Sequence, residues 1–467
     1  MKATRIAIAL LIAASPAALH AQTTPAAPAP QDQPGQTAPG QSGGQGESAL
    51  RVDVTAQAAQ DLVLAVPAMP TAQVVQTAAG ATDDLGRRMA QVIEDDLRNT
   101  GLFKTRGPGQ LPAVAFGLVN KPDYTLWNGQ SAQALVQGYV RANSNGSLTV
   151  GCYLYDVALQ SELVRQGYVV TPAEWRRAAH KCADAIYTRL TGEGPYFDSQ
   201  VVYVAEQGPK NRRRKQIAIM DQDGANHRFL TNGQSIVLTP RLSPRQDAIV
   251  FMSYENRRPS IFIYDLAERR TRRLVSNANL NFAPHFSPDG KWVLFSMAVA
   301  SNTDLYRVSV AGGEPQRLTN APGIDTGGSY SPDGSKIVFE SDRGGTQQLY
   351  VMNADGSNQR RISFGGGRYA TPVWSPRGDL IAFTKMGGGT FRIGVMNPSG
   401  GGEKLLTNSW GDEAPTWSPN GRVLMFFRAA QGSGRPDLWS VDLTGVNARK
   451  IPTPLDGSDP NWGPIRP

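Results

Sequence analysis

A phrase built on Ser-Pro recurs at a nearly fixed interval through the C-terminal half of this chain and leaves few folds open to it. It reads Pro240-Arg-Leu242-Ser243-Pro244, Pro284-His-Phe286-Ser287-Pro288-Asp289-Gly290, Tyr330-Ser331-Pro332-Asp333-Gly334, Pro372-Val-Trp374-Ser375-Pro376-Arg-Gly378, Pro415-Thr-Trp417-Ser418-Pro419-Asn-Gly421 and finally Pro460-Asn-Trp462-Gly463-Pro464. Successive serines stand 44, 44, 44 and 43 residues apart, and Trp462 follows Trp417 by 45. A repeat of about 40 to 50 residues with strand-like contents marks propeller blades, each a four-stranded sheet that cannot bury its faces without neighbours.

One repeat shows the mechanics. An inner strand ends at Tyr330, Ser331-Pro332-Asp333-Gly334 turns the chain, Lys336 to Glu340 and Gln348 to Met352 alternate as strands, and Arg360 to Ser363 finishes the blade. Proline presets φ, aspartate bonds its own backbone and glycine supplies φ > 0, so the phrase has a mechanical cause and reads as structural rather than catalytic. The outer-strand set begins at Val201 to Val204, whereas the inner-strand phrase begins only at Pro240. With the two sets offset by one, the C-terminus is expected to supply the inner strand of the first blade, closing a six-bladed ring over residues 196–467 and removing its edges.

Lys2 and Arg5 precede an apolar run from Ile6 to Ala14, and Leu19-His20-Ala21 is a cleavage site, so residues 1–21 read as a secretory signal. Residues 22–48 are Pro, Gly, Gln, Ala and Ser with almost no apolar bulk and are expected to be a disordered tether. Within it, Gly40-Gln41-Ser42-Gly43-Gly44 matches a nucleophile motif only formally, because a tether provides no strained strand-to-helix turn. The formal charge of +8 lies wholly in the C-terminal part, where residues 198–467 hold 32 basic and 24 acidic side chains. Export turns that excess away from nucleic acid and toward an acidic protein or an anionic envelope surface.

Residues 49–195 alternate helix-like and strand-like segments and read as an α/β domain. Asp83 and Asp84 open a helix whose Leu85, Met89, Val92 and Leu97 recur at helical spacing until Gly101. Ala134 to Val140, Leu148 to Val157 and Leu163 to Val170 read as strands. Thr171-Pro172-Ala173-Glu174 is a capping box ahead of a helix bearing Trp175, Ala178, Cys182 and Ile186, which Gly192 stops. Trp175 reads as core rather than as a ligand platform. Cys152 in a strand and Cys182 in a helix could bridge in an oxidising compartment or remain two buried thiols.

An exported chain, an α/β domain whose first helix ends Glu-Asp-Asp-Leu-Arg-Asn-Thr-Gly, and six repeats bearing Ser-Pro-Asp-Gly together resemble the TolB family of Tol-Pal systems. The resemblance covers about residues 50 to 467. It implies a non-catalytic periplasmic scaffold that binds the lipoprotein Pal through the propeller and TolA through its N-terminal segment. That scaffold supports outer-membrane integrity and constriction during cell division, reaches the outer membrane only peripherally through Pal, and acts as one copy within the complex. No cofactor and no metal are expected. Leu50, Arg51, Val52, Asp53 and Val54 resemble the family's N-terminal segment, although the tether precedes them.

For the propeller, loops at one rim can carry non-repeating side chains that converge around the channel. The candidates are Leu280, Asn281, Asp325, Thr326, Tyr369, Asp412, Glu413 and Asp459. By the resemblance, Thr326 and the Leu280–Asn281 pair align with positions implicated in Pal binding, with Leu280 departing from the polar type expected there. Lys210, Arg212, Arg213, Arg214 and Lys215 fill one loop of the first blade, and Arg257 and Arg258 fill that of the second, either as a solvated surface or as an attraction for acidic partners. The rival reading is a secreted propeller enzyme such as a metal-dependent glycan lyase. It would want His and acid ligands gathered in the channel, whereas His180, His227 and His285 fall in a helix, an outer strand and an inner strand.

Overall fold

The computed structural model describes residues 50–55, 62–209, 212–275, 280–432 and 434–467. The expected signal over 1–21, the tether over 22–48 and Lys210 lie outside them. Residues 48–467 belong to one compact unit, and among the described residues no helix is long and apolar enough to cross a membrane.

The N-terminal part is a five-stranded sheet in the order Lys104–Arg106, Val63–Ala65, Ala134–Ala142, Leu148–Asp156 and Ser161–Val170. Its first two pairings are parallel and the others antiparallel. The first long helix runs Thr82–Asn99 with Asp83 and Asp84 in its first turn, and Gly101 at φ 72° follows it. The second runs Trp175–Thr191 behind a 3-10 turn, Pro172–Glu174. The capping box is formed, with the Thr171 N–H donating to Glu174 Oε2 at 3.2 Å, and Gly192 ends the helix at φ 75°. Alternation along the strands sends Leu64, Val136, Val150 and Leu154 into one core with both helices, and Ala65, Leu135 and Tyr155 to the opposite face under Trp127. Trp175 sits half-buried at the edge of the larger core, with the Arg88 guanidinium 4.3 Å from its ring centroid. Cys152 and Cys182 are bridged, with Cα atoms 5.8 Å apart, tying the fourth strand to the second helix.

Six four-stranded sheets follow. The inner strands of blades 2 to 6 are Val237–Leu242, Leu280–Phe286, Asp325–Tyr330, Arg368–Trp374 and Asp412–Trp417. Blade 1 takes Ser199–Gln207, Arg214–Asp221 and Arg228–Phe229 from its own repeat and its inner strand, Asp456–Ile465, from the C-terminus. That strand pairs antiparallel with Ser199–Gln207, Trp462 facing Val201, so the ring closes as the offset of the two strand sets requires.

Every inner strand breaks register at one residue in the left-handed region: Thr239, Ala283, Gly327, Thr371, Ala414 and Asp459, with φ between 48° and 64°. Proline follows in all but Gly327. A bulge of this kind bends the strand and re-aims its side chains, and it is paired here with a residue that cannot donate to a ladder.

The Ser-Pro turns consume their own polar groups. Ser331 Oγ donates to Asp333 Oδ1 at 2.6 Å and accepts the Lys336 N–H at 2.9 Å. Hydrogen bonds from Ser331 and Ser335 hold the Asp333 carboxyl down to about 2. The mouth carrying these turns is where the α/β part sits. Asn420 Nδ2 donates to the Gly194 carbonyl at 2.9 Å, Glu193 accepts from Arg377 Nη1 at 2.7 Å and pairs with Arg422, and one core runs from the helices to Tyr203, Met425 and Trp462.

Candidate functional site

The opposite mouth is built from the crossovers that lead into each inner strand and from the loops between second and third strands. Position by position, the strand pleat decides what reaches it. Two residues before each bulge stand Val237, Asn281, Asp325, Tyr369, Asp412 and Gly457, and all six are buried. Gly457 has no side chain, and those of the other five are buried in the blade. Asp325 is held by Arg343 at 2.5 Å and Asp412 by Arg428 at 2.6 Å, both carboxylates fully shielded from solvent. The Tyr369 hydroxyl donates to Glu403 Oε2 at 2.7 Å.

Asn281, Asp325, Tyr369 and Asp412, expected as rim contacts, are therefore buried beneath the rim. One residue of pleat separates them from positions that face the channel. At those positions stand Thr326 and Glu413, half-buried, with Asp459 in the bulge itself. Thr326 Oγ1 lies 2.8 Å from Ser296 Oγ in the preceding blade. Burial, then the Asp459 charge, pushes the Glu413 carboxyl up. Deeper in the channel wall, burial and the Arg241 guanidinium hold His285 down to about 3, a neutral imidazole. Glu340, raised to about 7 by burial, accepts the Thr371 N–H of the next blade at 2.8 Å.

Leu280 is exposed at the mouth, and it is not alone. Ile236, Ile324, Phe364 and Trp410 occupy the equivalent crossovers of other blades, Tyr254 an adjoining loop and Val299 the end of the strand Trp292–Val299, with exposures between 37% and 72%. Large apolar side chains thus stand in water around one opening. Sequence reasoning passed over all but Leu280. The signal was present as a single bulky apolar residue in each Gly-, Asn- or Ser-containing crossover, ahead of the alternating pattern rather than within it.

The basic loops divide in the same way. Arg213 is largely buried, 2.7 Å from Asp456 and 3.5 Å from Glu206, while Lys215 pairs with Glu206 at 2.8 Å. Both are engaged in ion pairs within the blade. Arg214 is exposed and donates to the Asn232 carbonyl, and Arg212, Arg257 and Arg258 are exposed.

Leu50–Val54 lies against the α/β part. The Val52 N–H donates to the Leu190 carbonyl at 2.9 Å, Val52 is buried, and Leu50 and Val54 pack on the core. Arg51 and Asp53 are exposed, and Asp53 accepts the Thr55 N–H at 2.8 Å. Among the described residues the one gathering of His and acid side chains with metal-ligand spacing is Asp96, His180 and Asp223. It lies at the junction of helices and propeller, away from the channel, and Arg176 already pairs with Asp223.

The family described as the TolB beta propeller domain matches residues 187–466, and the TolB amino-terminal domain matches residues 50–163. The chain belongs to the TolB family. It is 72% identical over 418 residues to the Tol-Pal system protein TolB of Rhizorhabdus wittichii, covering 90% of this chain and 95% of that protein. Identity to the Tol-Pal system protein TolB of Zymomonas mobilis subsp. mobilis is 63% over 463 residues, covering 99% and 98%. The crystal structure of TolB from Acinetobacter baumannii superimposes with a TM-score of 0.75 at 28% identity, covering 90% of this chain and 99% of that one. A TolB of a Tol-Pal system is thus the class to which both halves of this molecule belong.

Proposed function

We propose that the chain is a non-catalytic scaffold of a Tol-Pal system in the periplasm, binding Pal at the propeller mouth opposite the α/β part and TolA through Leu50–Val54. In this reading it supports outer-membrane integrity and envelope constriction during division, associating with the outer membrane through Pal. The observation that carries it is the ring of exposed apolar side chains, Ile236, Leu280, Ile324, Phe364 and Trp410, around an opening whose polar residues Thr326, Glu413 and Asp459 remain accessible from the channel. Apolar anchors within a polar surround are what protein partners use.

The same reading gives the N-terminal segment two states. Val52 is buried against the second helix, so a partner that takes up its side chain must draw the segment off the core. Calorimetric titration with the soluble domain of Pal tests the first site, alongside Thr326→Arg and Trp410→Ala. Binding by the native protein that both variants lose is the expected result. Binding untouched by either variant discards the mouth as the site, and no binding by the folded native protein discards the scaffold reading.

A further inference from the structure

Blade 2 departs from the repeat in three ways that meet at one edge. The outermost strand of blades 1, 3, 4, 5 and 6 is two residues long, whereas that of blade 2 runs six residues, Arg270–Val275. It pairs with Ser260–Asp265 along its length, so its other side carries a row of backbone N–H and C=O groups facing outward.

The seam beside it also lacks the close glycine contact found between other blades. In four blades a glycine of the turn before the outer strand nests on the neighbouring blade. A Cβ at Gly224, Gly356, Gly400 or Gly445 would come within 2.1 to 3.0 Å of the carbonyl oxygen of Pro452, Leu318, Ile362 or Leu406. Blade 2 has Arg269 at φ 55° in the corresponding turn, and in blade 3 a Cβ at Gly312 or Gly313 would meet nothing within 4 Å. Between blades 2 and 3 lies a groove of about 480 Å³ lined by Arg270, Thr271 and Arg272 on one side and Val310 on the other, with Asp247, Asp265 and Glu268 also in its wall, and Arg272 Nη2 donates to the Val310 carbonyl across it.

The third departure is charge. Residues 237–275 hold eight arginines and four acidic residues, half of the net +8 of the whole chain. Four of the eight are Arg269, Arg270, Arg272 and Arg273, all exposed, with Arg270 paired to Glu268 at 2.6 Å.

We propose that the outer edge of blade 2 is a docking site for an acidic, extended polypeptide segment, which adds as a fifth strand along Arg270–Val275. Backbone groups of the edge supply the ladder, and the arginines supply the sign. Arginine on an edge strand is a common guard against pairing with other sheets. Here that guard is selective, because it repels a second copy of the same strand and any basic segment while admitting an acidic one. A membrane surface uses the charge but not the row of backbone groups, which an extended backbone matches in spacing along the whole strand.

The experiment uses the purified protein and a seven-residue peptide of alternating glutamate and valine. Controls are a lysine-for-glutamate peptide, a peptide with proline at its central valine, and vesicles of anionic phospholipid. The glutamate peptide is expected to bind, to slow hydrogen exchange of amides within Arg270–Val275, and to weaken at least tenfold with Arg270→Glu/Arg272→Glu/Arg273→Glu. Neither peptide control should bind. Equal binding of the proline peptide overturns the proposal, because charge without strand pairing then suffices. Protection elsewhere than 270–275, or binding to vesicles but not to the peptide, overturns it as well. If the triple variant melts early, the glutamate and proline peptides on the native protein decide alone.

Discussion

His180 Nδ1 lies 2.6 Å from Asp96 Oδ2, and this buried pair joins the two long helices where they meet the propeller. Gln222 of blade 1 donates to the other Asp96 oxygen at 2.9 Å, and Asp223 stands 3.9 Å from His180 Nε2. Burial disfavours a charged imidazole here, but Asp96, then Asp223 and Asp221, outweigh it and raise His180 to about 9. Burial also pushes the Asp96 carboxyl up, against the imidazolium and Arg176. We place the proton on His180, because Gln222 and Arg176 both favour the Asp96 carboxylate. With the folded value above the ordinary 6.5, the stabilisation is complete below 6.5 and is lost as pH rises through about 9. Melting temperature should fall between pH 6 and 9 in the native protein and change much less in His180→Gln, which is less stable at pH 6. A native curve flat across that range would rule out the charged pair.

The mouth residues separate into two kinds by a paired measurement. Removing Asp412 leaves Arg428 without its shielded carboxylate, a loss of about 3 to 5 kcal/mol for a broken buried pair. Removing the exposed Trp410 or Phe364 side chain costs the fold less than about 1 kcal/mol. Denaturant melts of Asp412→Ala, Trp410→Ala and Phe364→Ala should show this ordering. Pal binding should weaken more than tenfold in the second and third without a change in stability.

Much of this molecule is legible in its sequence for a mechanical reason. The Ser-Pro phrase, the offset between inner and outer strands and the Thr171 capping box each require particular residue types at fixed spacing, so six blades, ring closure and the second helix follow from them. The mouth is less legible, because strand alternation gives two faces and only packing tells which is which. Asn281, Asp325, Tyr369 and Asp412 are polar or large residues near a loop, and the pleat nevertheless turns them inward. Arg213 and Lys215 sit in a basic run, yet their partners Glu206 and Asp456 arrive from another strand of the blade, one of them from the other end of the chain. The state of Cys152 and Cys182 depended on a Cα separation that no spacing along the chain encodes.

That disulfide supplies a third prediction. Cys152 is on the strand at the middle of an antiparallel trio and Cys182 on the helix that covers it, both fully buried and 30 residues apart. Constraining a loop of that length in the unfolded chain is worth about 3 to 4 kcal/mol. Cys152→Ala/Cys182→Ala should lower the denaturation free energy by that order while leaving the near-ultraviolet signal of the propeller tryptophans in place. Both thiols are out of solvent, so reduction of the native protein by dithiothreitol should require prior unfolding and follow the rate of unfolding.

The ring closure can be tested at Trp462. Its indole Nε1 donates to Ser199 Oγ at 2.8 Å, its backbone N–H donates to Thr416 Oγ1 at 3.0 Å, and its ring packs in the core shared with the helices. One residue thus holds blade 1, blade 6 and the α/β part together, its backbone bonding blade 6 and its side chain bonding blade 1 and packing in the shared core. Trp462→Ala should cost about 3 to 5 kcal/mol, as for other buried tryptophans. Truncation after Leu455 should do something different in kind. It removes the whole inner strand, leaves Ser199–Gln207 with an unpaired edge of nine residues, and opens the ring at the point where the α/β part is anchored. The truncated chain is expected to aggregate at concentrations where Trp462→Ala remains monomeric by light scattering. A soluble, monomeric truncated chain would mean that the ring does not depend on its C-terminal strand.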